Sequence, residues 1–457
     1  MKTTLRDRLH GRLLMPLAYR MLGDRRFDYL HGLLERDTWS PQRVQEHQAQ
    51  RLTELYRVCM AHNEYWREKF QEYGLNPGGA DPLSELNKLP VLTKDELRAN
   101  WRRMRSTHLA DREVVHETSS GSTGMQVNVY QSRHYRQFHA AMEYRSRLWM
   151  GIAPGEPFLQ IGAHGAQAHM KRKARVLRWF RMAAEQGTVI DAFHIDPQRT
   201  GALLRRVADH GRIVHVHGYT TSLVTVARLA QQMGLKWPSM KAVSSTAEQL
   251  FDQDRQLLQE AFGAPVYDRY GSREVQSISM QCPEGRHHIY TDCNVVEFLD
   301  LEGADDGSKA IVVTPLDNEA MPLFRYRNGD SASAVEGRCP CGRSLPLMTA
   351  CLGRICNNFI TPDGRIINGT YFLYYFYYQE GFKSYQFHQT TPQHIDLYVV
   401  PDGQLSGERR AYLERSCQKI RNDYDSQFEV DLHIVNEIPR TPGGKHLYTV
   451  SDVLKNV

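Results

Sequence analysis

Between residues 199 and 267 the chain alternates between two periodicities at short intervals, and this limits the fold more than any other feature. Arg199 to His210 reads as helix, Ile213-Val214-His215-Val216 as strand and Thr221 to Met233 as helix. Met240 to Val243 then reads as strand, Glu248 to Phe262 as helix and Pro265-Val266-Tyr267 as strand. Strands separated by helical patterns of this length require a parallel or mixed sheet with helices on its faces. Ligands of such sheets gather beyond the C-terminal strand ends, where Tyr270 and Glu274 fall. Upstream, Ser132 to Met150 reads as helix, and Phe158 to Ile161 and Thr188 to Ile190 as short buried strands. Downstream, Val295 to Leu299 and Ala310 to Thr314 are strands. Past Arg354 come a Pro-Asp-Gly hairpin, an aromatic run (Tyr371 to Tyr378), the strand Ile395 to Val400 and a helix over Glu408 to Tyr424. The prediction is an α/β protein: a large multi-sheet N-terminal domain with helices over 1–353, then a small α+β domain over 354–457.

A length of 457 residues exceeds one compact core, in line with that division. A net charge of +5 permits anionic substrates and gives no ground for a nucleic-acid partner. No apolar run approaches the roughly 18 residues of a transmembrane helix, and the charged N-terminus lacks a signal-peptide pattern. Leu9, Leu13, Leu14, Leu17 and Met21 form an amphipathic stripe, expected to pack on the protein's own body, with loose membrane contact as the alternative. The basic run Lys171 to Arg181 reads as a solvated helix face, or as a face for an acidic or phosphorylated partner. Eight cysteines concentrated in the second half do not form a secreted disulfide framework, so a reduced cytoplasmic setting is expected. Oligomeric state is not legible.

The chemistry-bearing stretches begin with Ser119, Ser120, Gly121, Ser122, Thr123 and Gly124, set between two extended segments. A Gly/Ser/Thr turn offers backbone N–H groups and hydroxyls to phosphate, although it lacks the Lys-Ser/Thr ending of a Walker loop. Further along stand Tyr270-Gly271-Ser272-Arg273-Glu274, Arg325-Tyr326-Arg327-Asn328-Gly329-Asp330, Gly353-Arg354 and Gly443-Gly444-Lys445. Alone, Glu274 reads as a helix-start carboxylate, Tyr270 as a core-edge aromatic and Asp330 as a turn residue. Before the first loop, Thr93 and Glu96 form a capping box within LPVLTKDEL.

In order and spacing these motifs resemble the adenylate-forming superfamily over nearly the whole chain. The resemblance is closest to its phenylacetate-CoA ligase-like branch, which includes CapK-type proteins. It implies activation of a small carboxylic acid by Mg·ATP to an acyl or aryl adenylate with release of pyrophosphate. Transfer to a thiol acceptor follows, coenzyme A or a carrier protein; an amine acceptor or a non-catalytic acyl binder are the alternatives. By the same resemblance Ser119 to Gly124 hold the β/γ phosphates, Tyr270 with Gly271 lies along adenine and Glu274 is the magnesium carboxylate. Asp330 binds the ribose hydroxyls, Arg354 contacts ribose or phosphate, and Lys445 is the catalytic lysine, carried into the site by a mobile C-terminal domain. Where relatives carry GRxDD this chain has Gly353-Arg354-Ile355-Cys356-Asn357-Asn358, a departure that bears on domain rotation rather than on adenylation.

Two further groups complete the expectations. Cys282 and His288 in CPEGRHH, with Cys339 and Cys341 in CPCGR, supply three sulfurs and one nitrogen for a tetrahedral structural zinc, His287 competing with His288. The acyl pocket is expected near Tyr219, Thr246, Ala247 and Glu248, with His164 and His217 as further wall candidates.

Overall fold

The computed structural model describes residues 7, 9–118, 127–162, 176, 180–192, 195–300, 309–351, 359–364, 366–367, 369–376, 379, 381–424, 428–439 and 447–453. A hairpin of β1 (Val114–Thr118) and β2 (Asn128–Ser132) precedes the main sheet. That sheet contains β3 (Phe158–Gly162), β4 (Gly187–Asp191), β5 (His215–Tyr219), β6 (Ala242–Thr246) and β7 (Val266–Ser272), all mutually parallel. It continues antiparallel through β8 (Gln276–Gln281) and β9 (His287–Ile289), and ends in the two-residue strands β13 (Ala334–Val335) and β14 (Leu347–Met348). The strand order is β13-β14-β9-β8-β7-β6-β5-β3-β4. Between β9 and β13 the chain builds a separate antiparallel sheet of β10 (Asn294–Asp300), β11 (Lys309–Pro315) and β12 (Tyr326–Ala332).

The helices start where side chains can take up their unpaired first-turn N–H groups. Asp196 accepts from the Arg199 N–H at 2.7 Å to open helix Pro197–His210, which closes on Gly211 at φ +60°. Ser132 accepts from the Tyr135 N–H at 3.0 Å to open helix Arg133–Trp149. Beneath helices 197–210, Thr220–Gln232 and Asp252–Phe262, the side chains of Leu159, Ile161, Val216 and Val243 are fully buried. Each contributes about 1.5–3 kcal/mol.

After the short hairpin of β15 (Phe359–Ile360) and β16 (Ile366–Ile367), a second unit follows. It is a four-stranded sheet of β17 (Phe382–Thr391), β18 (His394–Pro401), β19 (Glu429–Ile434) and β20 (Thr449–Ser451), in the order β19-β18-β17-β20. Helix Gly407–Asp423 packs on it. Tyr371, Phe372, Tyr375 and Phe376 of the aromatic run are buried in the apolar core of this unit.

Two local expectations change. Thr93 does cap its helix, accepting from the Glu96 N–H at 3.2 Å, but Glu96 does not reach back; its carboxylate accepts from the Tyr65 hydroxyl at 2.5 Å. The N-terminal stripe does not face the body. Gly11, Met15 and Tyr19 face inward, while Leu9, Leu13, Leu14, Leu17 and Met21 are exposed. The helix is apolar on both sides, and a hydrophobic pattern alone does not say which side packs.

Candidate active site

The site is assembled at the end of β7. This strand leaves the parallel array, turns through Arg273-Glu274-Val275 and returns as β8, with a bulge at Tyr270/Gly271. A Cβ at Gly271 would lie 2.1 Å from the Gln276 carbonyl oxygen, so the close approach of the two strands requires glycine. The turn places Glu274 inside the protein at 2% exposure, where the Tyr326 hydroxyl donates to its Oε1 at 3.4 Å. The Gln131 side chain donates to the Arg273 carbonyl at 2.8 Å, fixing the turn from the β2 side.

A second bulge faces the first. On β12, Arg327 pairs with Val312 and Ser331 with Ala310, so Asn328, Gly329 and Asp330 together oppose Ile311. The extra residues push the strand outward and re-aim its side chains. Asp330 thereby reaches Tyr270, whose hydroxyl donates to Oδ2 at 3.0 Å, and the Asn328 amide donates to the same oxygen at 3.2 Å and also to the tyrosine hydroxyl. Burial, reinforced by the Asp330 charge, pushes the Tyr270 phenol far above its ordinary pKa and keeps it a neutral donor. Two sequence motifs about sixty positions apart thus form one polar cluster, and Glu274 meets Tyr326 on the strand that carries Asn328 and Asp330.

Two other stretches lock onto this cluster. Leu92, from LPVLTKDEL, donates its N–H to the Arg325 carbonyl and accepts from the Arg327 N–H, both at 3.0 Å. Arg273 pairs with Glu117 of β1 at 3.0 Å, and Arg136 pairs with the same carboxylate. Burial would raise the Glu117 pKa, but the two guanidinium groups hold it below the usual range. Glu117 stands two positions before Ser119 in sequence. The Ser119–Gly124 loop, Arg354, Lys445, His164 and the Gly353–Asn358 hinge lie outside the described residues, as does most of the basic run 171–181.

The acyl-pocket candidates lie at neighbouring strand ends: Tyr219 closes β5, Thr246 closes β6, and Ala247 follows at φ +69°. Glu248 turns toward a helix start, accepting from the Thr221 N–H at 2.7 Å and its hydroxyl at 2.8 Å. These contacts hold the N-terminus of helix 220–232 against β6. Between the sheet and helix 133–149 is a cavity of about 20 Å³, room for about one water, lined by His217, Thr246, Arg269, Glu143 and Arg147 among others. Glu143 pairs with Arg147 at 2.9 Å. Burial works against the Glu143 charge, yet the Arg147 guanidinium brings its pKa to about 2. Sequence reading missed this pair, because an i,i+4 Glu–Arg spacing on a helix normally marks a solvated face.

At the far end of the sheet, Cys282, His288, Cys339 and Cys341 converge, with all four donor atoms within 4.8 Å of one another. Cys282 Sγ and Cys339 Sγ are 3.5 Å apart, and Cys341 Sγ is 3.2 Å from His288 Nε2. A tetrahedral Zn²⁺ requires S···S and S···N edges of about 3.8 and 3.6 Å. The set fits with small adjustments. His288 Nδ1 faces the Leu345 carbonyl at 2.9 Å, the outer hydrogen bond that orients a metal-binding imidazole through its other nitrogen. His287 points away, its Nε2 3.6 Å from Asp268, so geometry selects His288 of the two. His288→Ala should therefore lower the zinc content of purified protein by about one equivalent, while His287→Ala leaves it unchanged, read by elemental analysis.

A large mixed-sheet domain with its polar cluster at a strand end, followed by a small α+β unit, is the architecture shared with two-domain adenylate-forming ligases. Residues 359–452 match the family model of the CapK C-terminal domain. Protein CapK of Staphylococcus aureus is 23% identical over 414 residues, covering 89% of each chain. The phenylacetate-coenzyme A ligase of Thermus thermophilus is 23% identical over 460 residues, covering 92% of this chain and 99% of that one. Among solved structures, 2-hydroxyisobutyryl-CoA ligase in complex with 2-HIB-AMP and CoA shares the fold, with a TM-score of 0.60 and 18% identity over 91% of this chain and 92% of that one. Over its length the chain is similar to the phenylacetate-CoA ligase and CapK-like branch of the adenylate-forming superfamily, and residues 359–452 match its CapK C-terminal domain.

Proposed function

We propose that this protein activates a small carboxylic acid with ATP, forming an acyl adenylate and pyrophosphate, and passes the acyl group to the thiol of coenzyme A or a carrier. The observation that carries the reading is the Tyr270–Asn328–Asp330 cluster beside buried Glu274. Asp330, oriented through Oδ2, accepts from the ribose hydroxyls, and Tyr270 with Gly271 borders the purine. Glu274 is a hard oxygen ligand of the kind Mg²⁺ takes when substrate phosphates and water complete its shell. When bound, that ion neutralises charge on the phosphates. The hydroxyls and N–H groups of Ser119 to Gly124 hold the β/γ phosphates, Arg354 contacts ribose or phosphate, and the Lys445 ammonium stabilises charge between the carboxylate and the α-phosphate. Tyr219, Thr246 and Ala247 border the acyl group, and Glu248 braces that wall. Zinc at Cys282, His288, Cys339 and Cys341 is structural, because four protein ligands leave no open position.

The test is carboxylate-dependent ATP–pyrophosphate exchange across aromatic, fatty and amino acids, with Lys445→Ala as the control. Exchange by the native protein and its loss in the variant is the expected result. Folded protein that binds Mg·ATP but exchanges with no acid would overturn adenylation in favour of an acyl binder. With the acid known, product formation on adding coenzyme A rather than an amine supports the thiol acceptor.

A further inference from the structure

Four internal strands of the main sheet are polar on one face only. Leu159, Ile161, Val216 and Val243 point to one side and are fully buried among apolar neighbours. The residues alternating with them lie on the side of helix 133–149 and form two cross-strand rows. Gln160, His217 and Ser244 are register partners in the inner row. Tyr219, Thr246 and Arg269 are partners in the outer row, nearer the strand ends. Parallel strands covered on both faces are ordinarily apolar throughout, so a polar face beneath a helix calls for a polar occupant.

The protein's own hydrogen bonds do not use up this face. His215 Nε2 and the Ser244 hydroxyl meet at 2.8 Å, and Glu143 and Arg147 neutralise each other. His217 Nε2, in contrast, is shielded from solvent and has no hydrogen-bond partner. It lines the cavity of about 20 Å³, room for one water-sized group. Burial and the Arg147 charge bring the His217 pKa to about 3, so its ring is a neutral donor or acceptor. In the outer row, Arg269 donates to the Ser277 hydroxyl at 2.9 Å and has no carboxylate within ion-pair distance among the described residues.

We infer that the inner row binds a hydroxyl of the acid, so that the substrate is a small hydroxylated carboxylic acid; this rests on the adenylation reading above. An alkyl or aryl group in the cavity would leave His217 unpaired and set apolar atoms against Glu143 and Arg147. An ammonium would meet a carboxylate already matched by Arg147, with the Arg269 charge opposing it. A second carboxylate would lie against Glu143 and two imidazoles that stay neutral. A hydroxyl carries no charge, both donates and accepts, and fills the space of one water while reproducing its hydrogen bonds. Arg269, one row nearer Tyr270, then faces the charged end of the acid.

The experiment is ATP–pyrophosphate exchange by the full-length protein with matched acids: glycolate and acetate, lactate and propionate, 3-hydroxybutyrate and butyrate, with benzoate and hexanoate alongside. At least one hydroxy acid should exceed its deoxy partner by ~100-fold or more in kcat/KM, because a site built to pair a hydroxyl rejects the analogue that leaves it unpaired. His217→Leu should shrink that ratio to within ~10-fold, chiefly by raising KM for the hydroxy acid. His217→Gln, which keeps a hydrogen-bonding group at that depth, should retain most of it, and the thermal midpoint of each variant checks folding. Exchange that favours the deoxy, aryl or fatty acids would overturn the inference and leave adenylation standing. So would a hydroxyl preference that survives in folded His217→Leu. Exchange with no acid at all would overturn the adenylation reading, and the substrate class with it.

Discussion

Glu274→Gln should reduce carboxylate-dependent ATP–pyrophosphate exchange at least ~100-fold, the scale on which single groups aimed at developing charge act. The substitution keeps shape, and the amide oxygen can still accept from the Tyr326 hydroxyl, so the 273–275 turn should persist. What disappears is the negative charge, at 2% exposure, where water screens it little. The loss should be partly offset by raising Mg²⁺, and the thermal midpoint should hold. Near-native exchange at ordinary Mg²⁺ would remove Glu274 from the chemistry and return it to a structural carboxylate.

The second large effect concerns stability. Arg145 is fully buried; its guanidinium meets both Asp292 oxygens at 3.1 and 2.9 Å and Asp37 Oδ1 at 2.7 Å. Trp149 Nε1 donates to the other Asp37 oxygen at 2.8 Å. Burial alone would depress the Arg145 pKa, but Asp292 and Asp37 raise it above its ordinary value, so it remains charged. This network joins the helical leader, helix 133–149 and the segment before β10. Arg145→Met removes the cation between the two carboxylates, leaving them only the longer 3.9 Å approaches of Arg36 to Asp292 and Arg343 to Asp37, and should destabilise the protein by about 3–5 kcal/mol. Urea unfolding followed by tryptophan fluorescence reads the shift. A midpoint close to that of the native protein would show that the carboxylates rearrange into water and that the network does not bind the leader.

The alternating middle of the chain was legible because buried parallel strands and amphipathic helices differ in period. Boundaries were less so. Ile213 and Val214 lie just before β5, which instead runs His215 to Tyr219, since one face of that strand lies against the polar cavity. The antiparallel extension through Gln276–Gln281 was missed for a similar reason: its glutamines and serines are mostly buried with their hydrogen bonds made by neighbours, and polar strands carry no apolar signal. Tyr270, Glu274 and Asp330 were found through motif order. Their convergence depends on two bulges, which no local pattern announces. Ser132 to Met150 reads only as helix, and the burial of Arg145 depends on Asp37 and Asp292, partners that tertiary packing brings to it.

The Arg273–Glu117 ion pair has a consequence for the thermodynamics of ligand capture. It fastens the residue next to Glu274 to the strand leading into the Ser/Gly loop, across 156 positions of sequence. The relative placement of the 273–275 turn and β1 is therefore settled when the chain folds, and the configurational entropy of bringing them together is lost at that stage. Under the proposed function, an incoming nucleotide does not have to supply it again from its own binding energy. Weakening this pair would accordingly appear as a larger entropic penalty on nucleotide association, even though neither side chain need touch the nucleotide.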